Sequence, residues 1–217
     1  MQSKAEVLNR IKTTGVVAVI RAERPDDLID VSRALVQGGV CCVEITLTMP
    51  GAIRVIEQAV AALGDDVVIG AGTVLDAETA RAAILAGAAF VVSPAFRPAV
   101  VDICRRYSIA CMPGAMTPTE ILDAWEAGAD VVKVFPAGVG GPQFFKDLKG
   151  QFPDIELMPT GAVNLETAPQ FIKAGAYAVG VGGELAGKGV IAARDFDRIA
   201  KSARAFVEVV RKARGLE

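Results

Sequence analysis

Residues 127–136 read Ala-Gly-Ala-Asp-Val-Val-Lys-Val-Phe-Pro, and the order of those ten letters decides how the whole chain is organised. The small residues and glycine end a helix, because glycine takes the left-handed conformation of a helix exit without steric penalty. The β-branched run that follows at once is a strand, apolar on both faces except for one lysine, as a parallel sheet covered by helices requires. The same exit recurs at Ala86-Gly87-Ala88 and Ala174-Gly175-Ala176, and Gly38-Gly39 serves the same purpose before Val40.

Working outward, eight apolar runs carry the strand pattern: Val16 to Ile20, Val40 to Ile45, Val67 to Ile69, Phe90 to Val92, Ile109 to Met112, Val131 to Phe135, Ile155 to Met158 and Ala178 to Val181. Helix entrances stand between them at Pro25-Asp26-Asp27, Pro50-Gly51, Asp76-Ala77-Glu78, Thr117-Pro118-Thr119-Glu120 and Asn164-Leu165-Glu166. Strand, helix, glycine, strand, repeated eight times, predicts an α/β fold: a (β/α)8 TIM barrel, single domain over residues 1–217, with an N-terminal helix from Ser3 to Lys12. The segment from Asp195 to Arg214 closes it. An open doubly wound sheet with extra strands is the structural alternative.

Composition narrows the function classes. A length of 217 residues lies near the lower limit for such a barrel. With 23 Lys plus Arg against 25 Asp plus Glu and 52% hydrophobic residues, neither disorder nor a nucleic-acid footprint is indicated. Met1 to Thr14 lacks the continuous apolar core of a signal peptide and no run reaches membrane-spanning length, so no membrane partner and a cytoplasmic location are expected. Four cysteines match neither a disulfide framework nor C-x-x-C metal spacing, and read as small buried hydrophobes. The chain has no histidine, which excludes every Ser-His or Cys-His dyad and every imidazole metal site.

Barrel enzymes hold their reactive groups at the C-terminal ends of the strands. Residues 131, 133 and 135 share one strand face, so Lys133 points into the barrel. Burial disfavours an ammonium and raises the fraction of free amine able to attack a carbonyl, the requirement for a Schiff-base lysine. The plain alternative places Lys133 between helices, snorkelling to solvent or paired with a carboxylate. Val43-Glu44-Ile45-Thr46-Leu47 puts Glu44 at the end of a second buried run, and in a chain without histidine Glu44 is the natural acid/base partner; a structural Lys133–Glu44 ion pair is the competing reading. Arg21 closes the first strand and suits a substrate carboxylate or phosphate, although an exposed loop arginine looks the same in sequence. Pro159-Thr160-Gly161-Ala162 and Gly180-Val181-Gly182-Gly183 end the last two strands, with backbone N–H groups fit to cradle phosphate or simply to permit tight turns. Gly182 to Gly189 reads G-x-x-x-x-G-K-G but lacks the Ser or Thr of a P-loop, and Gly70-Ala71-Gly72-Thr73-Val74-Leu75 lacks the third glycine of a dinucleotide fingerprint.

Taken together these motifs resemble the 2-keto-3-deoxy-6-phosphogluconate (KDPG) and 4-hydroxy-2-oxoglutarate (KHG) aldolases. The resemblance spans almost the whole chain: Val17-Ala18-Val19-Ile20-Arg21, Glu44-Ile45-Thr46-Leu47, Gly70-Ala71-Gly72-Thr73-Val74, Ser93-Pro94, Pro113-Gly114 with Thr117 and Glu120, Lys133-Val134-Phe135-Pro136-Ala137, and Pro159-Thr160-Gly161. It implies a homotrimeric (β/α)8 barrel that needs no metal or cofactor and acts on a small-molecule keto acid, with Lys133 as Schiff-base residue and Glu44 as general acid/base. It also implies that Thr73, Pro94, Phe135 and Thr160 line the pyruvate pocket, and that Gly161, Ala162, Gly182 and Gly183 bind phosphate. The chain departs from the pattern at Thr48, where many members carry arginine, so carboxylate binding is assigned to Arg21 as in other members. Ala162 and Gly183 stand where a glycine and a serine are usual, which removes a hydroxyl from the phosphate turn.

The reaction implied is cleavage of a 4-hydroxy-2-keto acid to pyruvate and an aldehyde: KDPG to glyceraldehyde 3-phosphate, KHG to glyoxylate, or the galactonate-derived epimer of KDPG. A non-covalent sugar-phosphate isomerase or epimerase keeps the barrel and the cradle but not the amine chemistry. A non-catalytic phosphometabolite-binding barrel keeps only the ion pair.

Overall fold

The computed structural model describes residues 2–21 and 24–216; the expected domain ends, Met1 and Glu217, lie outside the described residues. Among the described residues nine strands form, β1 (Val16–Ile20), β2 (Cys42–Thr46), β3 (Val68–Gly72), β4 (Phe90–Val92), β5 (Ala110–Met112), β6 (Gly114–Ala115), β7 (Val132–Val134), β8 (Leu157–Pro159) and β9 (Val179–Val181). All pair in parallel, in a six-stranded sheet ordered β5-β4-β3-β2-β1-β9 and a three-stranded sheet ordered β6-β7-β8.

Helices α1 (Lys4–Thr14), α2 (Pro25–Gln37), α3 (Ala52–Leu63), α4 (Ala77–Leu85), α5 (Pro98–Arg106), α6 (Pro118–Glu126), α7 (Gly141–Gln151) and α8 (Ala168–Lys173) fall between or before the strands, and α9 (Gly183–Ala186), α10 (Lys188–Ala192) and α11 (Phe196–Ala213) follow β9. The entrance signals act as caps: Asp76 accepts from the N–H of Thr79, and Thr117 and Glu120 form a capping box at α6. Gly39, Gly87, Gly128 and Gly175 all take positive φ at the helix exits, the conformation read from the sequence. Among the described residues no helix is long and apolar enough to cross a membrane.

The sheets are curled, which divides the core in two. Val16, Ala18 and Ile20 face the helices in one large cluster, whereas Val17 faces the concave side with Cys42, Val68, Phe90, Met112, Val131 and Met158. Val7 and Ile11 of α1 belong to this second cluster, so α1 closes the N-terminal end of the interior as a floor. The amphipathic Ser3–Lys12 pattern is thus explained by what α1 covers.

The expectation of eight strands in one closed barrel is met in part: the curled parallel architecture is present, with the strands in two sheets. The run expected at Ile109–Met112 continues beyond Pro113 as Gly114–Ala115, and the two pieces bond to different neighbours, β4 on one side and β7 on the other. Proline has no N–H to donate, so the ladder breaks there, while its carbonyl still accepts from the N–H of Lys133 at 2.9 Å. The other junction between the sheets is a seam: one parallel bridge joins Thr160 to Gly180, and the N–H of Tyr177 donates to the carbonyl of Leu157 at 2.9 Å.

Candidate active site

Strand alternation carries Cys42, Glu44 and Thr46 of β2 to one face and Val131, Lys133 and Phe135 around β7 to another, both turned into the curl. Glu44 is fully buried and Lys133 is 5% exposed. Nζ of Lys133 stands 3.8 Å from Oε1 of Glu44, too far for a hydrogen bond but close enough for strong mutual influence. Neither carboxylate oxygen of Glu44 has a hydrogen-bond partner among the described residues.

The room for that carboxyl comes from the neighbouring strand. Glu44 lies opposite Gly70 in the β2–β3 register, and a Cβ at Gly72 would collide with the Glu44 carboxyl. An unpartnered carboxylate in a dry site is costly, and the group responds by holding its proton. Burial pushes the Glu44 carboxyl above the usual range, and the positive charges of Lys133 and Arg21 only partly offset it. At 3.8 Å the attraction of Lys133 would by itself favour the carboxylate; the removal from water is complete, so burial wins.

Above this pair opens a cavity of about 420 Å³. Its wall carries Arg21, Phe135 and Thr160 together with Gly161, Ala162, Gly182 and Gly183, so seven of the residues singled out in the sequence meet around one space. Phe135 connects it to the buried pair, with its ring centroid 5.3 Å from Lys133 Nζ. Thr160 Oγ1 is buried without a partner among the described residues and rests against Gly180, whose missing side chain leaves it space. Ala162 takes φ 56, an uncommon conformation for a residue with a Cβ, and its carbonyl accepts from the Thr167 hydroxyl.

Thr73 and Pro94 are not on the cavity wall; they flank the ionisable pair instead. Thr73, at φ 59, directly follows Gly72, and the Pro94 carbonyl packs on Gly114, which stands opposite Lys133 in the β6–β7 register. Sequence reasoning missed three contributors. Gly72 and Gly114 make close approaches possible, and a glycine inside a strand is the signal that marks such places. Lys188 reaches the cavity wall from the G-x-x-x-x-G-K-G segment, which sequence reading weighed only as a nucleotide loop.

A buried lysine and a buried carboxyl facing each other at the C-terminal end of parallel strands, under a cavity with cationic side chains, suit an α/β enzyme of the lyase class. The chain belongs to the KDPG and KHG aldolase family, whose model matches residues 7–202. It is 35% identical to a 2-dehydro-3-deoxy-phosphogluconate aldolase of Treponema pallidum, over 94% of this chain and 96% of that protein. It is 36% identical to the 2-dehydro-3-deoxy-6-phosphogalactonate aldolase of Escherichia coli, over 91% of this chain and 95% of the relative. Among solved structures, the native KDPGal structure superposes with a TM-score of 0.86 at 35% identity, covering 93% of this chain and 96% of that one. The KDPG aldolase from Legionella pneumophila, with pyruvate captured at low pH as a covalent carbinolamine intermediate, has a TM-score of 0.86 at 26% identity, covering 92% and 97%.

Proposed function

We propose that this chain is a class I aldolase that cleaves 2-keto-3-deoxy-6-phosphogluconate to pyruvate and glyceraldehyde 3-phosphate, with 4-hydroxy-2-oxoglutarate, giving pyruvate and glyoxylate, as an additional or main substrate. The observation that carries the reading is the buried Lys133 amine 3.8 Å from a Glu44 carboxyl that has no other partner among the described residues. The amine attacks the C2 ketone, and Glu44 in its protonated form supplies the proton that lets the carbinolamine lose water to give an iminium. The iminium draws in the electrons of the C3–C4 bond as it breaks. Glu44, now a carboxylate, takes the C4 hydroxyl proton directly or through water, and an aldehyde departs. Protonation of the enamine at C3 and hydrolysis release pyruvate and restore the amine. The covalent pyruvate carbinolamine of the Legionella relative supports this route.

In this reading Thr73, Pro94, Phe135 and Thr160 surround the pyruvate moiety, and Arg21 pairs with the substrate carboxylate. Backbone N–H groups around Gly161, Ala162, Gly182 and Gly183 receive the phosphate. The galactonate-derived epimer is the second candidate, favoured by the 36% identity to the Escherichia coli galactonate enzyme. The remaining parts of the reading are one domain over residues 1–217, ring closure into an eight-stranded barrel with β5 and β6 as two parts of one strand, a homotrimer, and a cytoplasmic setting.

The test is reduction with borohydride in the presence of pyruvate, followed by peptide mapping. A three-carbon adduct on Lys133 is expected; an unmodified Lys133 under saturating pyruvate defeats the proposal.

A further inference from the structure

At the N-terminal end of β2, below Glu44, two thiols lie side by side. Cys42 is buried on the concave face and Cys41 is half-buried just before the strand, with the sulfur atoms 3.9 Å apart. Thr14 Oγ1, at the end of α1, lies 3.1 Å from Cys41 Sγ. Arg10, one turn earlier on α1, has its guanidinium held by the carbonyls of Asp65 and Asp66, each at 2.6 Å, and adds positive charge beside the same sulfur. Two groups able to donate therefore touch the Cys41 sulfur, the Cys42 thiol and the Thr14 hydroxyl, and a Cys41 thiolate would leave donation to them, with the Arg10 guanidinium nearby as positive charge. The proposed aldolase chemistry uses none of them.

We infer that Cys41 is a modification site, a thiolate nucleophile toward low-molecular-weight disulfides, with Cys42 as its fixed hydrogen-bond donor and not as its disulfide partner. Adjacent residues across a trans peptide have Cα atoms about 3.8 Å apart, below the about 4.4–6.8 Å that disulfides usually span. A Cys41–Cys42 bond would also pull Cys42 out of the packed floor. What the pairing does instead is electrostatic. The hydrogen bond from Cys42, seconded by Thr14 and Arg10, draws the Cys41 thiol down to about 5 against the opposing effect of burial. The same bond, and then burial, push the Cys42 thiol well above the usual range, so its proton stays in place.

The step is a thiol–disulfide exchange. The Cys41 thiolate attacks one sulfur of a small disulfide, a mixed disulfide forms on Cys41, and the other half leaves as a thiolate carrying the electron pair of the broken S–S bond. No further oxidant is needed. Cys104 and Cys111 are buried and serve as internal controls.

The experiment follows the reaction of the native full-length chain with 5,5′-dithiobis(2-nitrobenzoate) from pH 5.5 to 8, with peptide mapping of the adduct. One thiol per chain is expected to react in a fast phase, mapping to Cys41. An ordinary thiol accelerates about tenfold per pH unit over this range, whereas the Cys41 rate changes less than about twofold above pH 6.5. Cys42→Ala removes the main donor and is expected to slow the reaction at pH 6 by roughly tenfold and to restore a rising profile. Cys41→Ser removes the fast phase; if that variant fails to fold, mapping on the native chain and the Cys42→Ala profile decide. A fast phase that maps elsewhere, a rate that climbs tenfold per pH unit, no reaction before unfolding, or release of two equivalents with a Cys41–Cys42 disulfide and no adduct each overturn the proposal.

Discussion

The interior of the curl has two ends built on opposite principles, although the same strands supply both. At the N-terminal end Val7 and Ile11 of α1 pack on Val17, Cys42, Val68 and Phe90, and Phe90 occupies the space left by Gly70. At the C-terminal end, two residues further along β2 from Cys42, Glu44 is buried with no hydrogen-bond partner among the described residues, and so is Thr160 on the far wall. Gly72 and Gly180 give up their side chains to make room for these two groups. The floor stabilises the fold by burying apolar surface. The mouth buries polar groups without partners among the described residues, an arrangement that lowers stability.

This division implies that substitutions at the two ends separate activity from stability. Lys133→Met should reduce pyruvate release by about 10⁴-fold or more, because it removes the proposed nucleophile, while the thermal midpoint stays level or rises. Loss of activity together with collapse of the fold would place Lys133 among the structural residues instead. Glu44→Gln should cost about 10²–10⁴-fold in kcat and still allow a borohydride adduct on Lys133.

The same variant probes the strain at the mouth. With its pKa raised, Glu44 holds its proton to higher pH in the folded chain than in the unfolded one. Its contribution to stability is therefore complete below the unfolded carboxyl value and is lost as pH rises through the folded one. Glu44→Gln removes that loss, so the thermal midpoint of the variant relative to wild type should climb as pH rises above the unfolded carboxyl value; a constant difference would show that the folded carboxyl ionises as readily as the unfolded one.

On the floor, Phe90→Ala should lower unfolding free energy by about 3–5 kcal/mol in a denaturant titration and leave KM nearly unchanged at low temperature. The smallest effect is expected at the rim, where Lys188→Ala should raise KM for a phosphorylated substrate by roughly tenfold. Its effect on 4-hydroxy-2-oxoglutarate should be below about twofold; equal losses on both substrates would remove the phosphate from Lys188.

Much of this was legible in the sequence because strand periodicity and helix caps are local signals. The run 131–135 offered an inward-facing Lys133 beside an outward alternative, Glu44 on a second buried run tipped the reading inward, and the exits at Gly87, Gly128 and Gly175 marked where strands begin. The break at Pro113 was not legible: losing one N–H splits a ladder only where both neighbouring strands compete for the same segment, which is a property of the assembled sheet. Gly72 and Lys188 escaped for a related reason. One is defined by the carboxyl it accommodates on another strand and the other by a cavity built from distant loops, and neither relation has a fixed spacing along the chain. Family resemblance supplied Thr73 and Pro94, which periodicity alone had passed over.

The seam between β8 and β9 has a thermodynamic consequence. The 420 Å³ cavity lies across it, with Thr160 on one bank and Gly180 on the other. A ligand filling that space touches both sheets at once and acts as a clamp at a junction held by few backbone bonds. Occupancy should then slow amide hydrogen exchange most around residues 157–160 and 177–182, so that the enzyme is knit tightest while it holds its substrate.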